Sequence, residues 1–254
     1  MNQKIITKLT EDIYKSAENR TKPFYKYQRE NRDKLLIEVA KILLSHDIFN
    51  EYLDISIKDK KRLRAKLNKI INEYSNNYDE EIKDIESILS DSSRNKYSNL
   101  VILLGVIVKF RDTNNLNSKI INKIVNNKVD SKHWSNRIWN NKKGIEESLK
   151  KEIKSFLNGK TSVNKIEKII RDKYSTGAGQ TRRLVEYEVS RCQSEVNEYF
   201  FKTQGIIKVM YCADLDSRTC NDCSMYNGLT FYVNESRPSL PQHCYCRCEY
   251  IPIL

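Results

Sequence analysis

No proline interrupts the chain between Pro23 and Pro238. A proline inside a helix costs about 3 kcal/mol, so this gap permits helix over most of the chain, and few glycines stand in the way. Apolar spacing agrees: Leu36, Val39, Ile42 and Leu43 share one helical face, as do Ile145, Leu149, Ile153 and Phe156. Clusters of Asn, Asp and Ser mark breaks near His46–Leu53, Ser75–Tyr78, Ser90–Ser98, Thr113–Asn117 and Val129–Ser135. Asn158-Gly159 ends a further helix, and Thr161 or Ser162 caps the next. The run Ser175-Thr-Gly-Ala-Gly179 reads as a linker, because it lacks the Lys-Ser/Thr of a phosphate-binding loop. Beyond it, Val185, Val189, Cys192, Val196 and Tyr199 form the stripe of a strong helix from Gln180 to Thr203, closed by Gly205.

After Gly205 the pattern changes to short strands: Ile206–Cys212, Thr230–Val233 and Glu249–Ile253, the last with Pro252 suited to a sheet edge. The expected fold is therefore mainly α. A long helical N-terminal region, residues 1–175 with a sub-boundary near 130, precedes a small α+β zinc-binding C-terminal domain, residues 176–254.

The C-terminal part also holds the cysteines. Six of seven lie between Cys212 and Cys248, and the first 191 residues have none. The N-terminus lacks the apolar core and cleavage site of a secretory signal, which places the chain in a cytoplasm and favours metal binding or reduced thiols over disulfides. Cys220-Asn-Asp-Cys223 is a C-x2-C pair, and His243-Cys-Tyr-Cys246 follows after nineteen residues. Two such knuckles give a Cys3His set of Cys220, Cys223, His243 and Cys246, typical of structural zinc with no position left open for water. Cys248 or Cys244 remains a substitute ligand. In a unit this short, a structural Zn2+ would contribute directly to folding.

The ordered set Asp216-Ser-Arg-Thr-Cys-Asn-Asp-Cys223, Asn227-Gly-Leu-Thr-Phe231 and Pro241-Gln-His-Cys-Tyr-Cys-Arg-Cys248 resembles the phage Mu F-like family, the minor head or head-morphogenesis proteins of tailed bacteriophages. The resemblance covers residues 130–254. Within the motifs it rests on Asp216, Arg218, Gly228 and Arg247 beside the ligands. Upstream, Arg183-Leu-Val-Glu-Tyr-Glu188 with Arg191 is similar to the family's R-L-V-R-T-E helix, and Trp134–Trp139 to a segment that precedes it. Glu186 and Tyr187 depart from the family's Arg and Thr, which weakens any role for that signature and leaves the metal motif untouched. The resemblance implies a virion protein of the inner head, assembled in the host cytoplasm in an oligomeric setting. Its partners would be the portal and the major capsid or scaffolding protein, and it would assist head assembly or genome packaging.

The net charge of +12, from 45 basic against 33 acidic residues, suits non-specific contact with DNA, although an AT-rich genome would also enrich lysine. No apolar run reaches the roughly 18 residues of a membrane span. Glu188 and Arg191, three apart on one helix, form an ion pair worth a few tenths of a kcal/mol. No nucleophile–base set is legible, so catalytic residues are not expected. Two other readings compete: a zinc-containing DNA-binding regulator, and an ADP-ribosyltransferase-like enzyme or toxin-associated domain.

Overall fold

A computed structural model describes residues 3–105, 116–213 and 219–253. Helices α1 (Gln3–Ser45), α2 (Ile57–Asn72), α3 (Tyr78–Gly105), α4 (Ser118–Val125), α5 (Trp134–Leu157) and α6 (Val163–Gln204) dominate. A small hairpin, β1 (Asp47–Phe49) and β2 (Tyr52–Asp54), interrupts them early. The C-terminal part adds β3 (Lys208–Cys212), α7 (Asn221–Tyr226), β4 (Thr230–Tyr232) and β5 (Glu249–Ile253). The fold is thus mainly helical with a small strand-containing C-terminal region. The chain divides into two compact units that alternate along the sequence: residues 1–20, 84–134 and 183–254 form one, residues 21–83 and 135–182 the other. The expected division at residue 175 falls inside α6.

The unit of residues 21–83 and 135–182 has an apolar core of helical stripes. Leu35, Val39, Leu67, Ile71, Leu149, Ile153, Phe156, Ile166 and Ile170 are each no more than 2% exposed. Ser56 caps α2, accepting from the Asp59 backbone N–H at 3.1 Å, and Leu63, Leu67 and Ile71 then fall on one buried face. The break expected at His46–Leu53 is the β1–β2 hairpin. Asn50 and Glu51 both take positive φ (47° and 67°), as a two-residue turn matched to strand twist requires. The Glu51 carbonyl accepts from the Val163 N–H at 2.9 Å, tying the hairpin to the start of α6. Lys142 and Glu81 form a buried ion pair at 2.5 Å, with the Lys142 ammonium 5.2 Å from the Tyr74 ring centre.

Two expected breaks are helix. Ser90–Ser98 lies within α3, and Ser175–Gly179 lies within α6. Close packing explains the second. A methyl group built on Gly177 would stand 2.3 Å from the Tyr74 hydroxyl and 3.2 Å from Ile145 Cγ1, whereas Gly179 has nothing within 4 Å. Gly177→Ala therefore overpacks a site where Tyr74 is 1% exposed. Its helix-propensity gain of about 1 kcal/mol is set against an overpacking cost of about 1–3 kcal/mol. Urea denaturation should show Gly177→Ala destabilised by about 1 kcal/mol and Gly179→Ala stabilised; two variants shifted alike would refute the close-approach argument.

The other unit holds the first part of α1, the later parts of α3 and α6, α4, and an antiparallel sheet of order β4-β3-β5. Its register pairs Lys208 with Tyr232 and Ile253, Val209 with Phe231 and Pro252, and Met210 with Thr230 and Ile251. Pro252 sits on an edge strand, where its missing N–H costs no ladder bond. Behind the sheet, Val185, Val189, Cys192, Val196 and Phe200 of α6 are nearly fully buried, and Ile6, Cys212 and Ile251 pack together.

Candidate metal centre

The first knuckle is a helix start. Cys220 is the N-cap of α7, and its sulfur accepts from the Cys223 N–H at 3.4 Å. The same turn that satisfies the helix's free N–H therefore brings Cys223 round beside Cys220. Gly228, at φ 81°, returns the chain to the sheet: its N–H donates to the Tyr211 carbonyl at 2.9 Å, and the Tyr211 N–H donates to the Leu229 carbonyl at 2.8 Å. These bonds hold the knuckle against β3.

The second knuckle is a turn rather than a strand. Tyr245 takes φ 65°, the Cys246 N–H donates to the His243 carbonyl at 3.2 Å, and β5 starts only at Glu249. The turn at Tyr245 separates Cys244 from the other two thiols. Cys246 and Cys248 both turn inward and are buried, while Cys244 is exposed and is not among the clustered ligands.

The knuckles converge. His243 Nε2 stands 3.3 Å from the sulfurs of both Cys220 and Cys223. Its Nδ1 lies 2.8 Å from the Cys244 carbonyl, which fixes Nδ1 as the donor and leaves the Nε2 lone pair facing the thiols. Cys223, Cys246 and Cys248 form a second group, with donor atoms within 4.8 Å of one another, and Cys223 belongs to both groups. Five residues, Cys220, Cys223, His243, Cys246 and Cys248, are thus placed to hold a metal ion. The surroundings polarise them unevenly. The Cys223 N–H holds the Cys220 thiol below its usual range, burial pushes Cys223 up, and a hydrogen bond from Cys248 lowers Cys246 while raising Cys248. The bond to the Cys244 carbonyl raises His243.

Two helices anchor the second knuckle. The Cys246 carbonyl accepts from Ser190 Oγ of α6 at 2.9 Å and from the Tyr14 hydroxyl of α1 at 3.5 Å, and the Arg247 guanidinium lies 5.0 Å from the Tyr14 ring centre. Directly after Cys248, buried Glu249 pairs with Lys96 of α3 and accepts from Thr10 Oγ1 at 3.1 Å. Thr10 also accepts from Lys96 Nζ at 3.0 Å. Tyr14, Lys96, Thr10 and Ser190 carry no sequence signal for these roles, since Thr10 and Glu249 are 239 residues apart. Only the fold reveals them.

Among the motif residues, Asp216 and Arg218 lie outside the described residues. Arg183 is exposed. Glu188 and Arg191 lie elsewhere on α6 in a structural clamp. Arg191 Nε donates to Glu188 at 2.6 Å, Nη1 to Glu195 at 2.6 Å and to the Ile124 carbonyl at 2.9 Å, and Nη2 to the Val125 carbonyl at 3.2 Å. Arg191 closes the C-terminal end of α4, where the Trp134 indole also donates to Val125 at 3.1 Å. Arg191 and Glu188 are 4% and 2% exposed, so the surface value of a few tenths of a kcal/mol does not apply; stranding either charge costs about 3–5 kcal/mol.

Comparison of the chain with models of protein families, with curated proteins and with solved structures finds no match.

Proposed function

We propose that the ion is zinc, that its role is structural, and that the chain is a minor head protein of a tailed bacteriophage without catalytic activity. The observation that carries this reading is the pair of 3.3 Å approaches of His243 Nε2 to Cys220 and Cys223. Zn–S bonds near 2.3 Å and Zn–N bonds near 2.0–2.1 Å set neighbouring donors about 3.5 Å apart around one tetrahedral ion. A donor set of sulfur and imidazole without oxygen suits a borderline-soft cation. The buried Tyr211 hydroxyl meets no oxygen or nitrogen partner among the described residues and faces the Cys223 and Cys248 sulfurs, which as thiolates would accept from it. Bound there, zinc would crosslink two knuckles 19 residues apart. The chain's own residues do the rest: Ser190 and Tyr14 hold the second knuckle to the helices, and Gly228 folds the first onto β3.

The head-protein reading rests on the order of the motifs that supply these ligands, and a basic helical body suits a compartment filled with packed DNA. A sequence-reading regulator would need a recognition helix beside the knuckle, and α7 has six residues. The test has two separate parts. Protein purified without added zinc should contain one zinc per chain by elemental mass spectrometry. Peptide mass spectrometry of purified DNA-filled heads should find the chain in few copies, and the chain should co-purify with a portal ring. Zinc without virion association would retain the metal centre and discard the head role.

A further inference from the structure

Helix α2 carries seven basic residues and one acidic residue in sixteen positions. Two of the cations are spent internally: Arg62 pairs with Asp59 at 3.0 Å and Lys66 with Glu38 at 2.5 Å. Lys60, Lys61 and Arg64 are not. They line one side of an open groove of about 530 Å³, with Lys154 of α5 joining them and Ile57, Ala65 and Leu157 providing apolar surface. Among the described residues no carboxylate pairs with any of these four cations, and none lines the groove. One further lining residue, Asn68, has a buried side-chain oxygen without a hydrogen-bond partner. All these residues belong to the unit of residues 21–83 and 135–182, which does not contain the cysteine knuckles.

We infer that this groove is a docking surface for the phosphate backbone of duplex DNA, read without regard to sequence. Four uncompensated cations along one groove match a polyanion whose charges repeat every few ångströms. No aromatic ring lines the groove, so the base stacking that holds single strands is missing. The exposed faces of α2 offer lysine and arginine rather than an apolar seam, which suits phosphates better than a partner helix. The inference deepens the head-protein reading by naming where genomic DNA would touch the chain, but it stands on the groove's own charge and shape.

If the four cations each neutralise one phosphate, log K should fall with log salt at a slope of about −3.6, a loss of about 150-fold between 50 and 200 mM. The test is fluorescence anisotropy of the full chain with a 30-base-pair duplex of arbitrary sequence over that range. The variants are Lys61→Gln/Arg64→Gln in the groove and Lys119→Gln/Lys132→Gln outside it, with the same change in net charge. The groove variant should lose tenfold or more in affinity at 100 mM, with a slope shallower by about 1.8, and the control should lose far less. Equal losses in the two variants would overturn the groove and leave a general charge effect. Absence of duplex binding at 50 mM would overturn it too, and binding of vesicles containing phosphatidylserine in its place would reassign the surface to a membrane. All four substituted side chains are exposed, and unchanged circular dichroism and zinc content would show that fold and metal centre persist. A failed groove would then leave the head reading to its own test.

Discussion

Replacing Cys223 by serine is expected to remove the bound metal completely and to unfold the unit that contains the C-terminal sheet. Cys223 is the thiol common to both ligand groups, so its loss leaves two pairs, Cys220 with His243 and Cys246 with Cys248, without the donor that joins them. The magnitude follows from what metal binding contributes: about 10–16 kcal/mol in zinc-finger peptides at neutral pH, against total domain stabilities of about 5–15 kcal/mol. Zinc content and the thermal unfolding midpoint should therefore fall together, and chelation of the unmodified protein should reproduce the effect. Cys244→Ser should change neither, because Cys244 is exposed outside both groups. One tetrahedral ion takes four of the five clustered ligands, so Cys246→Ser and Cys248→Ser should differ. The variant that loses zinc names the fourth ligand, and the one that keeps it names the thiol that only hydrogen-bonds to the site. A Cys223→Ser protein with unchanged midpoint and metal content would end the structural-metal reading.

The second large effect lies beneath the site. Lys96→Met leaves the Glu249 carboxylate in a place where Lys96 and Glu249 are 2% and 7% exposed. Stranding one member of a buried pair costs about 3–5 kcal/mol, whereas removing both charges is often close to neutral. Adding Glu249→Gln should recover much of the loss, since the amide oxygen can still accept from Thr10 and no charge remains buried. Urea denaturation of the two single variants and the double variant gives the coupling directly. Strict additivity would show that the pair does not interact as the structure places it.

Much of this architecture is written in local pattern. The three strands of the C-terminal sheet, the stripe from Val185 to Val196 and the candidate ligands at 220, 223, 243 and 246 are legible in periodicity and spacing, because short-range geometry decides them. The misses share a different cause. The Ser90–Ser98 run reads as a break, yet Ser92, Ser93, Lys96 and Tyr97 are all buried in α3. Ser93 returns its hydroxyl to the Leu89 carbonyl at 2.8 Å, and Lys96 finds its partner in β5. Gly177 reads as a linker residue because the ring that needs its missing Cβ belongs to Tyr74, a hundred residues earlier. Cys244 parts from the inward face of Cys246 and Cys248 at Tyr245, whose left-handed backbone is uncommon for tyrosine and invisible in spacing. In each case the deciding neighbour is distant in sequence or the backbone is unusual.

The hydrogen bond between Thr10 and Glu249 also sets a timetable. Residues 21–182 supply every segment of one unit before residues 183–254 are made. The first twenty residues must wait for β5, with Ile6, Ile13 and Tyr14 lacking their native cover meanwhile. Closing contacts across 239 residues is slow compared with pairing neighbouring helices. Completion of that unit, and with it the gathering of the cysteines, thus waits for residues 249–253. A nascent chain stalled before residue 240 should present one protease-resistant core and one exposed set of apolar helices, a natural target for holdase chaperones.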